Sequence, residues 1–198
     1  MAKTIHLIRH GHHPLLGHRL CGRMPGVSLD ALGRRQMACC AELLHPSPDV
    51  IQSSPQLRAQ QSAEILSYAL GLPVQTATEI DEIDYGRWTG LPFAQLQCDP
   101  SWSKWNTQRA SSCPPGGETM EALQQRIVAY LERLHNDDCA TTIALVSHAE
   151  TIRAALLYYQ GIPLDDFLSI EVDPASISTL TFDGSRTQVM CSSIRVAA

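Results

Sequence analysis

The 198-residue sequence has no apolar stretch of the roughly 18 residues that a membrane-spanning helix needs, so no membrane partner is expected. It also lacks any cluster of lysine and arginine, and its net charge is −5, which argues against a nucleic-acid partner. An anion bound here must be held by a few local arginines. No Cys-x-x-Cys pair occurs among the seven cysteines, which speaks against a zinc or redox motif, and their odd number argues against a complete disulfide framework. Lys3 precedes an apolar run that soon meets Arg9 and His10, too short and too polar for a signal peptide. Reduced thiols in a cytoplasmic protein are the expectation. Neither an internal repeat nor a low-complexity tract is present, which excludes array architectures.

What is present is an ordinary globular composition, 44% hydrophobic and 18% charged, in a length that one domain over residues 1–198 fills with a full core. The opening stretch Thr4-Ile5-His6-Leu7-Ile8-Arg9-His10-Gly11 reads as a strand buried on both faces that delivers Arg9 and His10 at its carboxyl end. Open α/β sheets bind ligands in the crevice there, and Gly11 lets the chain turn and approach one closely. A glycine-rich loop then leads to a helix capped by Ser28 or Asp30. It runs to about Leu44, with Leu32, Met37, Leu43 and Leu44 at its apolar positions. After a strand over 49–53, Ser54 is expected to cap a second helix with Pro55 as its first residue, which sets Arg58 in the first turn, facing the same crevice.

Gly71 and Pro73 end that helix, a short strand follows at Val74-Gln75-Thr76, and 79–90 reads as an ordered loop. Residues 91–117 form a helical excursion and loop over the site, a lid packed by Trp102 and Trp105. Thr119 caps a helix with Met120, Leu123, Ile127, Tyr130, Leu131 and Leu134 on one face. Thr142 to Ser147 repeats the opening pattern, an apolar strand ending in His148, with a helix from Thr151 to Gly161. The segment from Phe167 to Arg195 reads as two further strands turning at Asp183-Gly184.

Taken in order, Arg9-His10-Gly11, Gly22-Arg23 with Leu29, Gly33 and Gln36, and Ser53-Ser54-Pro55-Gln56-Leu57-Arg58-Ala59-Gln60-Gln61-Ser62-Ala63 resemble the motifs of the histidine phosphatase superfamily. So do Glu82 followed by Tyr85-Gly86-Arg87-Trp88-Thr89-Gly90, then Gly116-Gly117-Glu118, Ser147-His148 and Pro174-Ala175-Ser176-Ile177-Ser178. The branch is the one that includes the cofactor-dependent phosphoglycerate mutases, and the segment around Arg58 is its most specific match. The resemblance implies a phosphoglycerate mutase-like α/β fold, a three-layer sandwich with a mostly parallel sheet and helices on both faces. It also implies a metal-independent phosphomonoesterase with no cofactor, acting on a small phosphorylated metabolite, with a homodimer left open.

In that scheme His10 attacks phosphorus to give a phosphohistidine, Arg9, Arg58 and His148 hold the phosphoryl oxygens, and Glu82 protonates the leaving oxygen. Asp81 and Asp84 are rivals for the role of Glu82. Ala149 is expected beside the substrate, and Arg23 either contacts it or lies in a solvated loop. Phosphoglycerate mutase is the nearest alternative, although the chain is short for one and no insertion shields the phosphohistidine from water. The length, the Gly-Gly-Glu segment and the stretch around Val172 to Ser176 look closer to the phosphatase side, which includes the α-ribazole phosphatases. A non-catalytic phosphate-binding relative is a further alternative. A metal site built from His6, His10, His12, His13 and His18 is disfavoured by the absence of nearby carboxylates or thiolates. Two departures stand out: His12-His13 replaces the Glu-Thr of relatives after the glycine, and Glu150 adds a negative charge after Ala149. Glu150 is expected either to point away from the pocket or to tune the site against highly charged substrates.

Overall fold

A computed structural model of the chain describes residues 2–183 and 186–192. The chain runs β1 (Lys3–Arg9), α1 (Ala31–Glu42), β2 (Val50–Ser53), α2 (Leu57–Leu70), β3 (Val74–Thr76), α3 (Phe93–Leu96), α4 (Pro100–Thr107), α5 (Met120–Asn136), β4 (Thr142–Ser147), α6 (Ala149–Gln160), β5 (Ile177–Asp183) and β6 (Arg186–Ser192). Short 3-10 turns lie at Thr78–Ile80, Gly86–Trp88 and Leu164–Ser169. Among the described residues no helix is long and apolar enough to cross a membrane.

The strands form one sheet in the order β3-β2-β4-β1-β5-β6, in which β3, β2, β4 and β1 pair in parallel and β5 pairs antiparallel to both β1 and β6. Only β5 therefore runs against the rest. Strand alternation sorts the core into two layers. Ile5, Leu7, Ile143 and Leu145 face α5 and α6, while Ile8, Ala144 and Val146 face α1 and α2. This is the three-layer α/β arrangement expected from the resemblance.

The helices differ from expectation in two places. Asp30 caps α1 by accepting the Gly33 N–H, but the buried stripe is Gly33, Met37 and Cys40, and Leu43 is 53% exposed. The α2 helix starts at Leu57 with Gln56 in the cap position, so Ser54 does not cap it and Pro55 lies outside. The reason is that the Ser54 hydroxyl is bonded elsewhere, to His148 and Asp81. Thr119 caps α5 as expected, and its six anticipated apolar residues are all buried. In the excursion between β3 and α5, Trp105 is fully buried against Tyr85 and Trp88 at 6.4 Å each, and Trp102 packs edge-on against Trp88. The strands β5 and β6 lie where two late strands were expected; Gly184 of the turn and Arg195 lie outside the described residues.

Two glycines lock the loop after β1 onto α1. A Cβ on Gly33 would fall 2.1 Å from the His12 carbonyl oxygen, and one on Gly11 would fall 2.4 Å from that of Gly33. The backbone of the His10 turn thus rests directly on the first turn of the helix, helped by the His12 N–H donating to Gln36 Oε1 at 2.9 Å. Gly33→Ala is expected to lower stability by about 1–3 kcal/mol in urea titration, since backbone on both sides must shift.

Candidate active site

The parallel register of β1 and β4 sets Arg9 opposite Ser147, so the residues that follow them, His10 and His148, leave the sheet side by side. The His10 N–H donates to the Ser147 carbonyl at 3.0 Å, and the two rings lie 5.2 Å apart. The partners of His10 fix its tautomer. Nδ1 lies 2.8 Å from the Gly11 carbonyl, which can only accept, so Nδ1 carries the proton. Arg58 Nε–H donates to Nε2 at 3.1 Å, so Nε2 holds a lone pair. The ring is 3% exposed, and burial together with Arg58 and Arg9 holds it well below its usual imidazole value of 6.5.

Arg58, on the first turn of α2, is 2% exposed and is held by its Nη2 donating to the Gly22 carbonyl at 2.7 Å. Arg9 is held by its Nη1 donating to the Val172 carbonyl at 2.6 Å; burial lowers its guanidinium to about 10. His148 is anchored through Nε2, 2.6 Å from Ser54 Oγ. The single Ser54 hydroxyl proton goes to the Asp81 carboxylate at 3.1 Å, so the imidazole donates from Nε2 and leaves Nδ1 free. Burial, then Arg58 and His10, keep this ring well below its usual value too. Arg9 Nε, Arg58 Nη1 and His148 Nδ1 are buried without a partner, as is His13 Nδ1.

These groups stand at a cleft of about 160 Å³. Arg9, His10, Arg58, Glu82 and Ala149 line it, together with His13, Arg19 and Glu150 and an apolar wall that includes Leu16, Leu20, Tyr85 and Phe93. Glu82 is 7% exposed, its Oε1 accepting from the Ile83 N–H at 3.0 Å, and burial followed by Glu150 raises its carboxyl above the usual range. Its two acidic rivals are engaged elsewhere: Asp81 takes Ser54 and Gln56 Nε2, and Asp84 takes the Gly86 N–H.

A family profile described as the histidine phosphatase superfamily, branch 1, matches residues 5–194. The chain belongs to this superfamily. Phosphoserine phosphatase 1 of Hydrogenobacter thermophilus is 28% identical over 175 residues, 85% of this chain and 83% of that protein. Adenosylcobalamin/alpha-ribazole phosphatase of Escherichia coli is 27% identical over 177 residues, 88% of this chain and 87% of that one. A bifunctional protein of Mycobacterium tuberculosis is 29% identical over 179 residues, and the chain spans about half the length of that relative, 49% of it. Among solved structures, mycobacterial glucosyl-3-phosphoglycerate phosphatase superposes with a TM-score of 0.81 at 26% identity, covering 96% of this chain and 98% of that one. YhfR of Bacillus stearothermophilus superposes at 0.87 with 23% identity and 96% coverage of both chains, a likeness of fold.

Within this histidine phosphatase fold the structure brings together Arg9, His10, Arg58, Glu82, His148 and Ala149. Arg23 is not brought to the cleft: its Nε donates to the Glu82 carbonyl at 2.7 Å, and its Nη2 to Glu118 at 3.0 Å, with Asp81 at 3.5 Å. It braces the loop that carries Glu82. Of the five histidines weighed as a metal cluster, His6 is a packed core residue bonded to the Pro46 carbonyl and Thr179, and His12 is paired with Asp30. Among the described residues no three His, Cys, Asp or Glu side chains gather as a metal would require. Sequence reasoning missed the Ser54–Asp81 support of His148, because Ser54 before Pro55 carries so strong a capping signal. It also missed Arg109, on the excursion, where no motif marks it.

The buried imidazoles give stability a sign with pH. His10 and His148 are lowered well below 6.5, and His13 to about 4. Below pH 6.5 the unfolded chain binds protons on these three rings that the folded chain does not, so stability falls on acidification, by up to about 1.4 kcal/mol per ring per pH unit. Glu82, raised in the fold, opposes this as a single group. Thermal unfolding is therefore expected to show a Tm several degrees lower at pH 5.5 than at pH 7.5; an equal or higher Tm would contradict the burial of neutral imidazoles.

Proposed function

We propose that the chain is a phosphomonoesterase that hydrolyses a small phosphorylated metabolite through a phosphohistidine on His10. The observation that carries this reading is the set of buried atoms without partners, Arg9 Nε, Arg58 Nη1 and His148 Nδ1, on the residues that neighbour His10, whose Nε2 lone pair meets only the Arg58 Nε–H. Unpaired buried polar atoms are costly, and a tetrahedral phosphoryl group accepts from both arginine N–H groups and, once Nδ1 is protonated, from His148 as well. The modest cleft suits a small alcohol half.

In the reaction, the phosphoryl oxygens take the free Arg9 and Arg58 N–H groups, and the dianion draws a proton from solvent onto His148 Nδ1, which returns to solvent when phosphate leaves. The Arg58 Nε–H turns from His10 Nε2 to the phosphoryl group and so releases the lone pair. Nε2 attacks phosphorus in line with the ester oxygen; the N–P bond forms as the P–O bond breaks, and the Glu82 carboxyl gives its proton to the departing alcohol. The Glu82 carboxylate then takes a proton from water, whose oxygen attacks phosphorus, breaks the N–P bond and frees His10 and inorganic phosphate. Arg9, Arg58 and His148 bind substrate as well as the transition state, Ala149 leaves room beside it, and Arg23 acts through the Glu82 loop. We further propose one domain over residues 1–198 with 91–117 as its lid, working in the cytoplasm without a metal.

Hydrolysis of p-nitrophenyl phosphate in the presence of a chelator tests the reading. Native protein is expected to turn over, and His10→Ala to lose about a thousandfold or more of kcat. Activity that needs a metal, or that survives in His10→Ala, would overturn the mechanism. Glu82→Gln is expected to lower kcat by about 10²–10⁴ on alkyl phosphates and by much less on the p-nitrophenyl ester, whose leaving oxygen needs no proton. Equal losses on both ester types would remove Glu82 from the role of acid.

A further inference from the structure

We propose that Glu150 determines the specificity of this site: its carboxylate receives a hydroxyl or ammonium group on the alcohol half of the substrate and turns away esters that carry a carboxylate there. This rests on the phosphomonoesterase reading and adds the chemistry of the group that leaves.

Glu150 is the second residue of α6, two places after His148, and it lines the same cleft as His10 and Arg58. Its place on the cleft wall favours the second of the two alternatives left by the sequence. Its side chain keeps 12% of its surface open. Arg109 Nη1 donates to Oε2 at 3.0 Å and Arg153 Nη1 to Oε1 at 2.7 Å. Each carboxylate oxygen accepts two hydrogen bonds, and among the described residues no other donor reaches either, so one acceptor site remains on each oxygen.

Both arginines are themselves fixed. The Arg109 guanidinium is sandwiched 3.8 Å from the Phe167 ring centre and 4.5 Å from that of Trp105, and Arg153 Nε donates to the Ile170 carbonyl at 3.0 Å. The carboxylate is therefore a rigid acceptor that cannot swing aside, and although burial pushes its proton affinity up, Arg109 and Arg153 outweigh that and keep it ionised. A substrate carboxylate placed here would meet Glu150 with its two arginines already engaged behind it. Arg19, the other cation on the cleft wall beyond the phosphoryl-binding pair, is exposed, so water screens its charge more than that of the less exposed Glu150, and it spends one N–H on the Gly90 carbonyl at 2.9 Å. The remaining wall, Leu16, Leu20, Tyr85 and Phe93, carries no further cation. The same geometry opposes a phosphoglycerate as substrate.

The test is calorimetric binding of two phosphonates of matched length that cannot be hydrolysed, 3-hydroxypropylphosphonate and 3-phosphonopropionate. Native protein is expected to bind the hydroxyl compound at least about tenfold more tightly, and Glu150→Gln, which keeps one acceptor and gains a donor, is expected to narrow the ratio to within about threefold. Equal native affinities, a preference for the carboxylate compound, or binding of neither phosphonate would overturn the proposal. The native ratio decides the matter even if the variant does not fold. Because no hydrolysis is involved, the outcome is separate from that of the p-nitrophenyl phosphate assay, whose failure would instead remove the phosphomonoesterase reading.

Discussion

The parallel ladder between β1 and β4 is the constraint on which the site depends. These strands are neighbours in the sheet although more than 130 residues separate them in the chain, and their register ends both at the same level. One shared endpoint places two imidazoles 5.2 Å apart and turns the helices that follow, α1 and α6, away from the same crevice. A slip of the register would part the pair and carry the apolar residues of β4 to the wrong layers. The layers therefore protect the site: Ile143 and Leu145 belong to one core cluster and Ala144 and Val146 to the other.

Within that frame the dominant cost is electrostatic. Arg9 and Arg58 are withdrawn from water beside three imidazoles, with the ionised Glu150 as a nearby counter-charge to Arg9. The histidines respond by staying neutral, and backbone carbonyls of Val172, Gly22 and Gly11 take up part of the donor capacity. What those carbonyls leave unpaired includes Arg9 Nε and Arg58 Nη1, on residues that line the cleft.

The excursion between β3 and α5 joins this arrangement from the outside. Its Trp105 is a core residue packed on Trp88 and Tyr85, its Trp102 packs against that core on Trp88, and its Arg109 reaches across to Glu150 on α6. The segment is thereby tied to the helix that follows His148, and the cleft wall draws on both, through Phe93 and Glu150.

Much was legible in the sequence alone. Apolar runs ending in Arg9-His10 and in His148, with Ser54-Pro55 ahead of Arg58, were enough to bring these side chains to one crevice at strand ends and a helix start, because those signals are local and the sheet rule for ligand sites is general. The α5 helix and its cap at Thr119 were legible for the same reason. Contacts between residues far apart in the chain were not. Whether the Ser54 hydroxyl caps a helix or holds His148, 94 residues away, depends on where β4 lies beside β2. Arg23 could be aimed at the cleft or at Glu118, and only the packing of the Glu82 loop on the start of α5 turns it to the acid. The state of Glu150 was decided in the same way, by an arginine from an unpatterned segment meeting one from its own helix. Residue type and local spacing determined which groups reach the cleft of this protein; their partners, and hence their charge and aim, were set by tertiary contacts that have no period to read.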